Sequence, residues 1–78
     1  MTFKPKNEKE LLAADIAQKL NDLANLPLYI SYANKYSDHI LRMILGQVME
    51  IPAEKITKTR GALFNFLVQR YGEKNSGN

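Results

Sequence analysis

The chain contains no cysteine, a single histidine and no apolar run approaching the roughly 18 residues of a membrane span. Each absence removes a class of function. Without cysteine there are no disulfides and no thiolate metal ligands, so a small core must hold the fold unaided. His39 alone can complete neither a Cys-His pair nor a two-histidine metal site, and it reads as a partly exposed residue in the first turn of a helix. No glycine-rich phosphate loop follows a strand pattern, and Ser31 and Ser37 lack the context of a nucleophile elbow. The carboxylate pairs Glu8/Glu10 and Asp15/Asp22 read as solvated helix faces and N-terminal charge placement. This inventory argues against catalysis and implies no cofactor and no metal. The opening Met1-Thr2-Phe3-Lys4-Pro5-Lys6 lacks the apolar stretch of a secretory signal, so the expectation is a cytoplasmic protein with no membrane partner.

What is present is ordinary globular composition. The 78 residues are 45% hydrophobic and 24% charged, which suits one folded domain rather than a disordered chain. A domain this small buries only about 60% of the surface its unfolded chain exposes, so its apolar residues must be well placed. The net charge of +3 leans toward an anionic partner. Its distribution says more than its sum. Between Asn7 and Asn25, Lys9 and Lys19 face Glu8, Glu10, Asp15 and Asp22. Between Pro52 and Lys74, the cations Lys55, Lys58, Arg60, Arg70 and Lys74 outnumber Glu54 and Glu73.

The apolar periodicity is helical throughout. Asn7 followed by Glu10 resembles a capping box, and Leu12, Ile16, Leu20 and Leu23 form one stripe, with Ala13, Ala17 and Ala24 beside it. This predicts a first helix over residues 8–24. Pro27 starts a short second helix whose Tyr29, Tyr32 and Tyr36 share one face. That face reads as core packing, with base stacking on its rings as a lesser alternative. Ser37-Asp38 caps a third helix to about Glu50, carrying Ile40, Leu41, Ile44, Leu45 and Val48. Ile51-Pro52 ends it, and Pro52 to Ile56 forms a single turn. Thr57 or Thr59 caps a fourth helix bearing Leu63, Phe64, Leu67, Val68 and Tyr71, with Gly72 at its C-terminal cap. The predicted fold class is therefore all-α, a compact bundle of four helices, one of them short, joined by short connections. A disordered arm over 1–6 and a disordered tail over 73–78 flank a single domain over 7–72.

One segment stands out as a candidate site. A helix starting near Arg60 leaves its first N–H groups unpaired and its positive dipole end exposed, which together favour an anion. Lys55, Lys58 and Arg60 add charge, Thr57 and Thr59 add hydroxyl donors, and Gly61-Ala62 leave room for a phosphate. Arg42 and Arg70 extend this patch if the third and fourth helices lie side by side. The pattern suits contact with the backbone phosphates of DNA or RNA. It also suits an ordinary capped helix whose basic neighbours are merely solvated.

Tyr36-Ser37-Asp38, Ile40-Leu41 and Ile44-Leu45, followed after a connector by Leu63-Phe64, Leu67-Val68 and Tyr71, resemble the helical C-terminal domain of DnaD-like replication-initiation proteins. The resemblance covers about half the chain. It departs from the family pattern at Leu63, where an aromatic is usual, and at Tyr71, where tryptophan is usual, and the first helix has no counterpart in it. The resemblance implies DNA binding and contact with replication proteins through the last helix and the residues after it. The competing expectation is a protein-interaction module or homodimer using an apolar face around Leu26, Leu28 and Tyr29, or the face of the first helix.

Overall fold

A computed structural model describes residues 6–76, and all its described regular structure is helical. The chain forms α1 (Glu8–Lys19), α2 (Leu26–Lys35), α3 (Asp38–Glu50) and α4 (Arg60–Ser76), with single 3-10 turns at Leu23–Asn25 and Ala53–Lys55. The all-α four-helix bundle expected from the periodicity is the architecture found. Its helix starts follow local chemistry. The Asn7 side chain accepts the Glu10 amide at 2.9 Å, and the Ser37 hydroxyl accepts the Ile40 amide at 3.2 Å. The Glu10 carboxylate reaches back to the amide of Lys6 at 3.0 Å, one residue before the one that a capping box requires.

Helix α1 stops five residues earlier than its stripe predicts. Asn21 adopts φ 55°, a left-handed conformation that asparagine tolerates better than most residues. The amides of Asn21 and Asp22 then bond back to the carbonyls of Gln18 and Ala17, at 3.0 and 2.8 Å. This is a Schellman closure with asparagine in the place usually taken by glycine. Leu23 and Ala24, expected on the core stripe, are consequently exposed. Helix α4 departs in the opposite sense. It continues through Gly72 to Ser76, so residues 73–76 of the expected tail are helical. Gly72 is a spacer, since a Cβ there would run into the Tyr36 hydroxyl. The expected arm over 1–6 lies, except for Lys6, outside the described residues, as does the end of the tail at 77–78.

The core is built from Leu12, Ile16 and Leu20 of α1 and its C-cap, Leu41, Ile44, Leu45 and Val48 of α3, and Phe64 and Val68 of α4. Rings of α2 complete it. Tyr29 and Tyr32 contact Phe64 at centroid distances of 5.8 and 6.4 Å, and Tyr36 meets Tyr71 edge to face at 6.1 Å. Tyr29 is 1% and Tyr32 8% exposed, so these two rings are core and offer no stacking surface, while Tyr36 is half-buried at its edge. Tyr29 and the half-buried Leu26 belong to this packing, which leaves only Leu28 of the expected apolar docking face exposed. No described helix is long and apolar enough to cross a membrane.

Candidate nucleic-acid interface

The junction between α3 and α4 is assembled by local caps. Ile51-Pro52 takes the chain out of α3, the turn at Ala53–Lys55 reverses it, and half-buried Ile56 pins it. Thr59 is the cap of α4. Its hydroxyl accepts the Ala62 amide at 3.0 Å and its carbonyl accepts the Leu63 amide at 3.1 Å. The hydroxyl proton of Thr59 and that of exposed Thr57 are left to donate elsewhere. Between this junction and the first turns of α4 lies a groove of about 330 Å3, lined by Lys55, Ile56, Thr57, Lys58, Thr59, Ala62, Leu63 and Phe66.

The structure brings four of the seven expected site residues together there and places Arg60, Gly61 and Arg70 elsewhere. Arg60 is half-buried, and its Nη1 donates to the Val48 carbonyl at 2.6 Å. That carbonyl lies in the last turn of α3, where it also accepts the amide of the C-cap residue Ile51 at 3.3 Å. The guanidinium therefore closes the end of α3 and does not line the groove. Gly61 is buried, and a Cβ at this position would lie 2.6 Å from Asp22 Oδ2 and 3.0 Å from the Tyr29 hydroxyl. The start of α4 is thus covered on this side by a carboxylate of the chain itself, which complements the helix dipole. Asp22 is held in place there. Tyr29 donates to its Oδ2 at 2.6 Å, and Asn25 Nδ2 donates to both of its oxygens at 3.0 and 3.2 Å. Burial, the hydrogen bond to Asp22 and the charge of Asp22, in that order, push the Tyr29 hydroxyl well above its ordinary pKa.

Arg70 lies farther along α4, and Arg42 does not join it. Arg42 is instead bound to Asp38 at 2.7 Å and Asp15 at 3.3 Å. Arg70 is exposed, with its guanidinium 5.7 Å from the centroid of Phe66. Phe66, Arg70, Glu73 and Lys74 line a second groove along the outer face of α4. Phe66 belongs to both grooves and is 53% exposed. Sequence reasoning passed over it because it lies off the Leu63-Phe64-Leu67-Val68-Tyr71 stripe. That position was itself the signal. Two residues after Phe64 on a helix is a turn of about 200°, so a ring there must point away from the core.

Lys55, Lys58, Arg70 and Lys74 form no ion pair with any described carboxylate, as is also true of Lys6, Lys9 and Lys35, whereas Lys19 and Arg42 are both paired. His39 is exposed, and no group of three or more potential metal ligands occurs among the described residues. Comparison with protein families, with curated proteins and with solved structures found no match to this chain.

Proposed function

We propose that this is a non-catalytic, cytoplasmic nucleic-acid-binding domain that holds backbone phosphates in the groove of Lys55, Thr57, Lys58 and Thr59 and along Arg70 and Lys74. The observation that carries this reading is the set of four cations without carboxylate partners, arranged along two grooves that share Phe66. Unpaired cations keep their full charge for a polyanion, and the threonine hydroxyls add neutral donors of the kind that bind phosphate oxygens. Arg60 and Gly61 support the site from behind, by closing α3 and seating α4 against Asp22, and do not touch the ligand. The resemblance to DnaD-like domains points toward DNA replication. Apart from exposed Ser37 and Asp38, the residues that carry it are half-buried or buried, however, and so speak for the bundle more than for its surface.

The test is a titration of labelled random DNA and RNA by fluorescence anisotropy, at about 50 and about 200 mM salt. Binding is expected to weaken steeply with salt and to vary little with sequence. Lys55→Ala with Lys58→Ala should weaken binding to every sequence alike. Absence of binding by the wild-type domain at the lower salt refutes the proposal.

A further inference from the structure

We infer that the preferred ligand of this surface is single-stranded, with one unpaired base stacked on Phe66; the inference rests on the phosphate-binding reading above. Several large apolar side chains are exposed, among them Leu11, Leu23, Met43 and Met49, and scattered examples of this kind need no explanation. Phe66 differs in its surroundings. It forms part of the wall of both basic grooves, with Lys55 and Lys58 on one side and Arg70 and Lys74 on the other. Ala62, Phe66, Arg70 and Lys74 succeed one another at intervals of one helical turn, about 6 Å each, so the row runs about 18 Å along α4. A strand laid along this row would place phosphates beside cations at both ends and a base at the ring between them.

Phe66 has no hydrogen-bonding group, so it can accept any base by its face without reading sequence. A duplex offers no free base face along its side, and reaching one requires unstacking a step at a cost of several kcal/mol. A single strand carries no such penalty. Arg70 strengthens the platform, because its guanidinium sits over the same ring and can stack on a base or pair with a phosphate.

The experiment compares three labelled probes with strands of about 12 nucleotides: oligo-dT, an abasic strand of equal length, and a blunt-ended duplex without a loop. The wild-type domain should bind oligo-dT about tenfold more tightly than the abasic strand, a difference within the range of one base–aromatic stack. Phe66→Ala should abolish that difference, with circular dichroism showing that the variant is folded. Phe66→Trp should keep the difference. Equal wild-type affinity for oligo-dT and the abasic strand, with salt-dependent binding intact, overturns the stacking inference alone. No binding of any probe at low salt overturns the phosphate-binding reading and this inference with it.

Discussion

Replacing Gly61 by alanine should destabilise the domain, although alanine is the better helix former. In an unobstructed helix the substitution would stabilise by up to about 1 kcal/mol. Here the new Cβ would lie 2.6 Å from Asp22 Oδ2, too close for the carboxylate to stay. Asp22 cannot swing aside freely, because Asn25 holds both its oxygens and Tyr29 donates to one of them at 2.6 Å. Moving it breaks a hydrogen bond to a charged acceptor, worth about 1.5–3 kcal/mol, and leaves the hydroxyl of a buried tyrosine without its partner. The net expectation is a loss of about 1–2 kcal/mol, at roughly 4–8 °C in Tm for each kcal/mol in a domain of this size. A mutant cycle isolates the cause. With Asp22→Ala and Tyr29→Phe both present, the obstructing atoms are gone, and Gly61→Ala should become neutral or stabilising. Circular dichroism through urea unfolding reads all four proteins, and the coupling should be about 2 kcal/mol. Gly61→Ala as stable as wild type in the unmodified background would refute the close-approach argument.

Further expectations follow from the same contacts. Arg60→Ala should cost about 1–2 kcal/mol by leaving the Val48 carbonyl without its charged donor, yet should not change the salt slope of nucleic-acid binding. A lowered slope would return Arg60 to the phosphate site. Lys55→Ala and Lys58→Ala should each flatten the slope by about 0.7–0.9 with little change in urea midpoint. Stability should fall as pH rises above 10.0, the ordinary tyrosine value, because unfolded Tyr29 ionises there while the folded residue stays protonated to higher pH. Below that pH both states keep the proton and the Tyr29–Asp22 bond contributes fully. Tyr29→Phe should flatten this alkaline limb in urea midpoints taken from about pH 8 to about pH 11, and an unchanged limb would count against the linkage. Gly46→Ala should stabilise by about 0.5–1 kcal/mol, since a Cβ there meets nothing within 4 Å. Destabilisation would mean that the exposed face of α3 is occupied in solution.

Helix starts and core stripes were legible because their causes are local. Asn7, Ser37 and Thr59 cap helices with atoms three residues away, and the periodic apolar residues of α3 required no knowledge of what they would face. The end of α1 was legible in principle, since Asn21 is a residue type that enters the left-handed region, but the apolar spacing of Leu23 masked it. The end of α4 was not. Glycine at position 72 reads as a terminator, and only the Tyr36 hydroxyl packed against it shows that its smallness is used for contact between helices.

The sequence by itself determined an all-helical class, three helix starts, a basic C-terminal half and a poor inventory for catalysis. All of these depend on residue type and on spacings within a few turns. Tertiary structure decided which basic residues are available to a ligand. Arg60 and Lys58 are two residues apart and look alike as charges, yet one closes the end of α3 and the other lines a groove. Whether a cation is engaged depends on which carbonyl or carboxylate the fold brings beside it, and those partners come from helices distant in the chain. Tyr29 and Tyr32, whose spacing reads as core, are buried against Phe64 of α4, and the ring left exposed is that of Phe66.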